Sequence, residues 1–410
     1  MSWDTVRFGD LYSAESRNGL TKPSRVRGSG YKMINMGELF ANDRIYDIPM
    51  ELVPLKDSEK VNAKVECGDL LFARQSLVLE GAGKCSIVME VSPLTVFESH
   101  LIRVRLDNKW ALPMFYYYYF KSPLSPMKSI VSQCAQAGIR GSDLQELQVI
   151  FPPVEEQQRI VDVLSAYDDL IENNQKQIKL LEEAAQRLYK EWFVDLRFPG
   201  HETTPLTDGI PEGWQYSPLS EVFDFVRGKS YTSKELSDTV GVLMANLKNI
   251  RAFGGYKRNA EKRFTGQFKE NQTLAAGDVV MGVTDMTQER RLVGHVALVP
   301  DMGEAMTFSM DLIKIIPKLT DKLFVYSALY YGGLSKQISP LANGVNVLHL
   351  KPEAMMGIEM LIPHDAIVRA YHERISPIIV RIEALQKQCD IAAEARDRLL
   401  PKLMNGEIEI

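Results

Sequence analysis

The segment that decides the fold runs from Ile160 to Trp192 and reads IVDVLSAYDDLIENNQKQIKLLEEAAQRLYKEW. Its apolar residues follow an unbroken four-three spacing, which places them on one helix face for more than four heptads. The predicted seam consists of Ile160, Leu164, Tyr167, Ile171, Asn174, Ile178, Leu181, Ala185, Leu188 and Trp192. Pro152-Pro153 before the segment and Pro199-Gly200 after it are typical of helix ends. We therefore predict one long helix, in which the lone polar Asn174 would help to fix the register of a paired helix.

The same pattern recurs 211 residues further along the chain. The second predicted seam consists of Tyr371, Ile375, Ile378, Ile382, Leu385, Cys389, Ala392, Arg396, Leu399 and Leu403. Pro377 should kink this helix or delay its start, and Pro401 should end it. A core-facing helix in a bundle would show a similar stripe, but two matched helices of this length favour pairing with each other. The sequence therefore predicts a coiled coil.

The segments before the two helices are also related by an offset near 211 residues. The matched segments are Trp3 and Trp214, Asn35 and Asn246, Cys67-Gly-Asp-Leu-Leu-Phe72 and Ala276-Gly-Asp-Val-Val-Met281, Leu101-Ile-Arg-Val and Leu312-Ile-Lys-Ile, and Leu147-Gln-Val-Ile-Phe-Pro152 and Ile358-Glu-Met-Leu-Ile-Pro363. A repeat this long indicates duplicated domains. Short β-rich runs, Gly-Asp turns and an aromatic helix near 113–121 make each domain α/β, more closely α+β. We predict globular domains at 1–150 and 202–360, followed by helical regions at 151–201 and 361–410.

The composition is that of a globular protein, with 410 residues, 45% hydrophobic residues and a net charge of −5. The acidic excess lies in the two helical regions, and the rest of the chain carries 35 acidic and 35 basic residues. The chain has no apolar run of transmembrane length, and Met1-Ser-Trp-Asp4 does not resemble a signal peptide. The cysteines Cys67, Cys85, Cys134 and Cys389 are far apart, which favours reduced thiols. A cytoplasmic protein is expected.

Motifs that carry chemistry are missing from the sequence. No GxxxxGK[ST] phosphate loop is present, and Gly81-Ala-Gly-Lys-Cys85 only approaches one. Phe151-Pro-Pro-Val154 lacks the polar and aromatic residues of an amino-methyltransferase motif, and Pro300-Asp301 has no nuclease partner downstream. His364 and His372 do not have the spacing of a helical metal site. We therefore expect no catalytic residue, no metal ligand and no cofactor bound by this chain.

Two basic runs without acidic residues fall at similar places in the two halves. The candidate DNA contacts in these runs are Arg17, Lys22, Arg25, Arg27 and Lys32 in the first, and Lys248, Arg251, Lys257, Arg258 and Arg263 in and just after the second. Further candidates are Arg74, Gln75, Ser76, Arg140, Ser142, Arg290, Arg291, Asn343 and Asn346. Both runs have loop-like composition, and cations, amides and hydroxyls contact phosphates and base edges. The alternative is that they are solvated surface loops.

The whole chain resembles the DNA-specificity subunit of type I restriction–modification enzymes. The resemblance rests on Trp3 with Gly9, on Pro152-Pro-Val-Glu-Glu-Gln-Gln-Arg-Ile160 at the start of the first helix, on Trp214, and on Leu399-Leu-Pro-Lys-Leu-Met-Asn-Gly-Glu407. In the second half, Pro363-His-Asp-Ala-Ile367 replaces the proline-proline signature, so the match is looser there.

The resemblance implies two target recognition domains that each read half of a bipartite DNA site. It implies two antiparallel helices that set the spacing and dock methyltransferase subunits, which associate with motor-nuclease subunits. S-adenosylmethionine, ATP and Mg²⁺ would then belong to the partner subunits, and this chain would be non-catalytic.

Two other classes of protein remain possible from the sequence. One is a fragment or relative of a fused restriction–modification enzyme, against which the missing catalytic motifs count. The other is a coiled-coil adaptor that does not read DNA, which salt-dependent DNA binding would exclude.

Overall fold

The computed structural model describes residues 3–76, 78–133 and 137–409, which form a mixed α/β structure. The chain divides into two compact units. Unit 1 contains Met1–Asn173 and Gln388–Ile410, and unit 2 contains Asn174–Lys387. Both divisions fall inside long helices, so the four segments bounded at 150, 201 and 360 stay a prediction.

Unit 1 contains thirteen strands among its described residues. They are β1 (Thr5–Arg7), β2 (Tyr12–Asn18), β3 (Tyr31–Ile34), β4 (Arg44–Ile45), β5 (Glu51–Val53), β6 (Leu70–Ala73), β7 (Gln75–Ser76), β8 (Cys85–Val88), β9 (Val96–Phe97), β10 (Leu101–Leu106), β11 (Ser132–Gln133), β12 (Ala137–Gly138) and β13 (Gln148–Ile150). The short helices are α1 (Met36–Ala41), α2 (Asp57–Asn62), α3 (Pro113–Lys121) and α4 (Gly141–Glu146), and the long helix α5 (Val154–Phe193) begins here. The aromatic helix predicted near 113–121 is confirmed by α3, from which six consecutive aromatic side chains, from Phe115 to Phe120, pack into the core.

Unit 2 contains the remaining elements. Its strands are β14 (Leu206–Thr207), β15 (Ile210–Pro211), β16 (Gln215–Pro218), β17 (Phe223–Arg227), β18 (Leu236–Ser237), β19 (Val242–Ala245), β20 (Lys262–Phe264), β21 (Thr273–Leu274), β22 (Val279–Gly282), β23 (Thr284–Asp285), β24 (Val296–Leu298), β25 (Met306–Phe308), β26 (Leu312–Pro317), β27 (Leu348–His349) and β28 (Glu359–Ile362). Its helices are α6 (Leu219–Val222), α7 (Lys322–Tyr330) and α8 (Leu334–Ile338), and the long helix α9 (Asp365–Met404) begins here.

The strand order repeats between the units, as the internal repeat predicts. The sheet β2-β10-β6-β8-β4 of unit 1 corresponds to β17-β26-β22-β24 of unit 2. The parallel pair β3·β9 corresponds to β19·β25, and β1·β13 corresponds to β16·β28. The register is also kept, since Leu101 pairs with Ala73 and Leu312 pairs with Gly282. The duplication therefore extends to individual residue pairs.

The predicted Gly-Asp turns are present before the central strands β6 and β22. Gly68 and Gly277 have φ values of 88° and 77°, which a residue with a side chain adopts only with strain. The next residue closes each turn, because the Asp69 carboxylate accepts a hydrogen bond from the backbone N–H of Glu66 at 2.7 Å, and Asp278 accepts one from Ala275 at 2.9 Å. These turns direct apolar strands into the two cores.

The two long helices each contain 40 residues, and within each unit segments of both helices pack in opposite directions. In unit 1, Ile160 and Leu164 share a core with Leu400 and Leu403, whereas the later residue Ile171 accepts a contact from the Cys389 thiol. In unit 2, Arg381 contacts Gln177. The Tyr371 ring lies 6.2 Å from Tyr189 and 5.9 Å from Trp192.

Two predictions about the proline residues are corrected by the structure. Helix α9 begins at Asp365, so Pro377 does not delay its start, and it ends at Met404, so Pro401 does not end it. A proline inside a helix loses one backbone hydrogen bond and crowds the preceding turn. The buried residues Tyr371, Ile375, Ile382 and Leu385 on either side of Pro377 anchor this segment in the core and offset that cost.

Candidate nucleic-acid interface

The basic run of unit 1 is largely neutralised by carboxylates from elsewhere in the unit. Lys22 lies 2.7 Å from Glu59, Arg27 lies 2.6 Å from Glu51, and Lys32 lies 2.7 Å from Asp47. The hydrogen bond from Lys22 lowers the pKa of Glu59, and that from Lys32 lowers the pKa of Asp47. These three cations therefore stabilise the fold locally.

The other two cations of this run are more accessible. Arg17 is exposed and donates a hydrogen bond to Asn62 at 3.0 Å, while Arg25 is exposed and makes no ion pair among the described residues. The loop-like character predicted for the run is wrong at its ends, because Arg17 lies on β2 and Lys32 lies on β3. Exposure alternates along β2, which presents Arg17 at the surface, whereas Lys32 on β3 is partly buried.

The secondary candidates of unit 1 come together beside this run. Strand β7, with Gln75 and Ser76, pairs with β12, and the carbonyl of Arg74 accepts a hydrogen bond from Ile139, next to Arg140. Helix α4, which contains the exposed Ser142, is linked to β2 by a hydrogen bond from Gln145 to Ser16 at 3.0 Å. Neither Arg74 nor Arg140 forms an ion pair within the described part of the chain.

In unit 2 the basic run lines a cleft of about 730 Å³. The cleft is lined by Lys248, Ile250, Arg251, Ala252, Lys257, Asn259, Ala260, Glu261 and Lys262. Lys248, Arg251 and Lys257 are exposed, and no carboxylate of the described residues forms an ion pair with them. We call Lys248, Arg251, Lys257 and Lys262 the basic cleft. Lys248, Arg251 and Lys257 are therefore available to bind a polyanion.

The single acidic side chain of the cleft is held by neighbouring donors. Glu261 accepts hydrogen bonds from the Tyr256 hydroxyl at 2.8 Å and from the Asn249 amide at 2.9 Å. Lys262 donates to the Tyr231 hydroxyl at 2.6 Å and lies over the Tyr231 ring, 4.8 Å from its centroid. The Glu261 carboxylate therefore stabilises the local fold through these hydrogen bonds and does not neutralise the neighbouring lysines.

Two predicted contacts of unit 2 face other partners. Arg263 forms two bonds with the Glu304 carboxylate, at 2.8 and 3.0 Å, and Arg258 donates to the carbonyl of Asp301 at 3.1 Å. These arginines bind parts of unit 2 together.

The remaining candidates of unit 2 lie on two loops that contact each other. Arg290 and Arg291 lie on a loop after β23, and Asn343 and Asn346 lie on the loop before β27. Strands β23 and β27 pair, and the Gln288 side chain donates to the carbonyl of Val345 at 2.9 Å. The loops after β23 and before β27 correspond to those around β7 and β12 of unit 1, so matched loops present candidates in both units.

The buried Asp285 holds the first of these loops in place. Its carboxylate accepts hydrogen bonds from the backbone N–H and hydroxyl of Thr287, both at 2.8 Å, and from the N–H groups of Leu292 at 2.6 Å and Val293 at 3.2 Å. Burial alone would raise the pKa of Asp285, but these hydrogen bonds lower it below its usual value. A charged anchor thus orders the loop that presents Arg290 and Arg291.

All twenty predicted seam residues of the helices are buried or partly buried. Ile160, Leu164, Asn174, Ile178, Ala185, Trp192, Tyr371, Ile375, Ile382, Leu385, Ala392 and Leu403 are buried, and Tyr167, Ile171, Leu181, Leu188, Ile378, Cys389, Arg396 and Leu399 are partly buried. The structure shows a polar partner that sequence reasoning missed. The buried Asp168 accepts hydrogen bonds from the Tyr118 hydroxyl at 2.6 Å and from Arg396. An arginine inside an apolar seam was the signal that such a partner exists.

A second missed contact ties strand β4 of unit 1, with the adjacent Tyr46, to helix α5. Arg44 lies 2.8 Å from Asp169 and 3.3 Å from Glu172, and the Tyr46 hydroxyl donates to Glu172 at 2.8 Å. The Arg44 side chain is almost fully covered. No spacing rule relates these residues, which lie about 125 positions apart in the chain.

Other kinds of site are absent from the described residues. No cluster of histidine, cysteine, aspartate and glutamate side chains there could hold a metal ion. Within the same ranges, no helix is both long enough and apolar enough to cross a membrane. Cys67, Cys85 and Cys389 form no disulfide, and the predicted thiol Cys134 lies outside the described residues.

These features define a class: a duplicated α/β protein with cation-bearing loops in both units and two long helices. The family of the type I restriction modification DNA specificity domain matches residues 1–183. The type I restriction enzyme MjaIX specificity subunit of Methanocaldococcus jannaschii is 27% identical and covers 100% of this chain and 94% of its own length.

Two further proteins are similar to this chain in sequence or in fold. The type I restriction enzyme EcoKI specificity subunit of Escherichia coli is 32% identical over 165 residues, which are 38% of this chain and 35% of that subunit. The crystal structure of a type I restriction-modification system S subunit from M. genitalium has a similar fold, with a TM-score of 0.59, 15% identity, and coverage of 98% of this chain and 96% of that one. Residues 1–183 of this chain thus match the family of the type I restriction modification DNA specificity domain, and the chain as a whole is similar to type I restriction enzyme specificity subunits.

Proposed function

We propose that this chain is the non-catalytic DNA-reading subunit of a type I restriction–modification complex. The regions 1–150 and 202–360 act as target recognition domains, and each reads one half of a bipartite site. One observation carries the proposal: loops of both units present cations without ion pairs among the described residues, namely the exposed Arg25 and Arg140 and the partly buried Arg74 in unit 1, and the exposed Lys248, Arg251 and Lys257 in unit 2. Cations of this kind position a protein on the phosphates, while neighbouring amides and arginines read base edges.

We further propose that the two long helices form an antiparallel coiled coil that sets the spacing between the half-sites. The opposed packing of α5 and α9 segments within each unit supports this arrangement. A helix of 40 residues is about 60 Å long, which is more than the roughly 34–36 Å between half-sites one DNA turn apart. An arrangement of this length is sufficient to hold two readers at a fixed separation.

The partners follow from this role. Methyltransferase subunits dock on the outer faces of the helices, and motor-nuclease subunits join through them. Leu180 and Ile391, which are 211 residues apart, both expose large apolar side chains on these helices, and such side chains favour a protein partner. S-adenosylmethionine, ATP and Mg²⁺ act on the partner subunits, and a cytoplasmic location stays a prediction.

The test of the reading role is to map methylated adenines genome-wide in cells that carry the chain with its partner subunits. We expect one asymmetric motif in two parts, separated by a fixed spacer. Inserting four residues near Asn174 and four near Leu385 lengthens each helix by about 6 Å, so the same two half-sites should appear with a spacer longer by one or two base pairs. Methylation without a common motif would contradict the reading role, and an unchanged spacer with full activity would contradict the spacing role.

The alternatives are tested with the purified chain. A fused enzyme would transfer labelled methyl groups from S-adenosylmethionine to target DNA, whereas we expect no incorporation above a control without protein. An adaptor that does not read DNA would show no salt-dependent DNA binding, whereas phosphate contacts make binding fall steeply with salt.

A further inference from the structure

Three loops of unit 2 expose large apolar side chains beside the basic cleft. Phe253 is 58% exposed, Met286 is 77% exposed and Val345 is 86% exposed. We call these three residues the apolar tip. Single exposed apolar residues are common on protein surfaces, but these three lie on loops that contact one another.

Specific bonds bring the three loops together. The backbone N–H of Phe253 donates to the carbonyl of Arg291 at 2.7 Å, which joins the basic run to the loop after β23. The Gln288 amide donates to the carbonyl of Val345 at 2.9 Å, which joins that loop to the loop before β27. Hydrogen bonds between the three loops therefore hold the residues of the apolar tip together as one surface.

The backbone around the tip is strained. Phe253 has a φ of 66° and Arg290 has a φ of 52°, a left-handed conformation that costs on the order of 1–3 kcal/mol for a residue with a side chain. Strained residues cluster at ligand-binding sites, where the surrounding structure holds them in place. Here the hydrogen bonds to the buried Asp285 provide that support.

We propose that the apolar tip contacts the 5-methyl group of thymine in the half-site read by unit 2, an inference that rests on the proposed function. The thymine methyl is the one apolar group that base pairs present in the major groove. The exposed Asn343 and Asn346 flank Val345, and asparagine pairs with the N6 and N7 edge of adenine, the base opposite thymine. The loop before β27 thus presents amides that can bind adenine beside an apolar side chain that can contact the thymine methyl of the same A·T pair.

The surroundings of the tip favour DNA as its occupant. Lys248 and Arg251 lie in the segment that leads to Phe253, and Arg290 and Arg291 lie on the neighbouring loop. This charge complements phosphates on either side of a groove. A groove contact also fits better than insertion between base pairs, because the Phe253 ring packs edge-to-face against His295 with 5.6 Å between centroids. Insertion would remove that packing and add an unstacking cost of a few kcal/mol.

The test uses the complex with its partner subunits and duplexes that carry the mapped site. Each thymine of both half-sites is replaced in turn by deoxyuridine, which differs only in lacking the methyl group. We expect uracil at one or more positions of a single half-site to weaken binding about three- to fivefold, the effect of one buried methyl group. The variant Phe253→Ala/Met286→Ala/Val345→Ala should lose this discrimination, and Phe253→Leu should keep most of it.

A matched control is the unit 1 variant Phe40→Ala/Val78→Ala/Leu79→Ala, which removes exposed apolar side chains of the other half and should leave that uracil effect unchanged. The inference is overturned if no uracil substitution matters, or if the effect persists in the triple alanine variant. It is also overturned if 2-aminopurine in the half-site brightens on binding in a Phe253-dependent way, which indicates insertion. Failure of the proposed function is distinguishable, because the unmodified duplex would then bind no better than a scrambled one.

Discussion

Each unit carries one basic run, but the run of unit 1 leads into β3 whereas that of unit 2 follows the matched strand β19, and their cations have different partners. In unit 1, Lys22, Arg27 and Lys32 are each bound to a carboxylate. In unit 2, Lys248 and Lys257 line an open cleft without such partners among the described residues. A cation that already has a carboxylate partner gains less from a phosphate, because it must first leave that partner. Two runs with similar numbers of basic residues therefore differ in how much positive charge they leave unpaired at the surface.

The same kind of difference occurs where the helices pack. In unit 1, the buried Asp168 pairs with Arg396. The offset of 211 residues places Ala185 and Ile379 at the corresponding positions of unit 2, and both belong to its apolar core or pack against it. The same helix-packing positions are therefore occupied by an ion pair in unit 1 and by apolar side chains in unit 2. The predictions below test these contrasts, beginning with the largest expected effect.

Replacing Arg396 should have the largest effect on stability. Arg396→Ala leaves the carboxylate of Asp168 buried with only the Tyr118 hydroxyl as a partner, and breaking a buried ion pair in this way costs about 3–5 kcal/mol. The triple variant Tyr118→Phe/Asp168→Ile/Arg396→Ala removes all three polar partners, as in the apolar packing of unit 2, and apolar replacement of a whole buried ion-pair network is often close to neutral. Urea unfolding of the full chain measures both free energies.

Arg398→Ala provides the matched control on the same helix. Arg398 forms an exposed ion pair with Glu394, and exposed pairs of this spacing contribute under about 0.5 kcal/mol. If Arg396→Ala were no more destabilising than Arg398→Ala, the Asp168 pair would have no special role in unit 1.

The second prediction compares the two basic runs directly. Lys248→Ala/Arg251→Ala/Lys257→Ala should lower the slope of log affinity against log salt by up to about 2.7, or about 0.9 for each phosphate contact. Near 0.15 M salt this corresponds to on the order of a hundredfold weaker binding. Binding of the assembled complex to a duplex that contains its site, measured at several salt concentrations, gives the slope.

The corresponding unit 1 variant is Lys22→Ala/Arg27→Ala/Lys32→Ala. Because these side chains bind carboxylates, their loss should change the slope much less and instead lower the free energy of unfolding. Equal slope changes for the two variants would show that the ion pairs of unit 1 open when DNA binds.

The sequence predicted the features that depend on local pattern. The four-three spacing located both long helices, and the repeat matched segments that form corresponding strands in the two units, although it did not predict their pairing, such as Leu101 with Ala73 and Leu312 with Gly282. Periodicity and turn residues are encoded within short windows, so they can be read without the fold. Pro401 misled the prediction because a helix end depends on tertiary packing as well as on local propensity.

The identity of the accessible cations could not be predicted in the same way. Lys22 finds its partner Glu59 after 37 positions, and Arg263 finds Glu304 after 41. Arg44 and Asp169 are separated by 125 positions. Whether a cation faces solvent or a carboxylate is decided by the three-dimensional fold, so a run of bases in the sequence sets only an upper limit to the available charge.

The third prediction concerns the anchored loop of unit 2. Asp285→Ser copies Ser76, the residue at the matching position of β7, and leaves the N–H groups of Leu292 and Val293 without their acceptor. Each unsatisfied buried donor costs about 1–3 kcal/mol. We expect the variant to be destabilised by at least that amount and to bind DNA less tightly, as measured by urea unfolding and by the affinity of the complex.

The pH dependence of the Asp285 effect has a defined sign. The pKa of Asp285 is lower in the folded chain than its usual value of about 3.9. The carboxylate therefore stabilises the folded state fully at pH values above about 3.9, and this contribution is lost as pH falls through the lower folded pKa. The difference in stability between the chain and Asp285→Ser should be constant from neutral pH down to about pH 5, and it should shrink below pH 4. A difference that grew on acidification would exclude the anchoring role.

The smallest expected effect separates two neighbours in the basic run of unit 1. Arg25 is exposed and makes no ion pair among the described residues, whereas Arg27 binds Glu51 and donates to the carbonyl of Lys22 at 2.8 Å. Arg25→Ala should therefore lower the salt slope by about 0.9, as one lost phosphate contact does. Adding Arg27→Ala should lower it little further, because that guanidinium is already engaged. Affinities of the complex at four or more salt concentrations resolve a change of this size. A double variant whose slope fell by about 1.8 would mean that Arg27 exchanges Glu51 for a phosphate on binding, and the contrast between the two units would then hold only for the free protein.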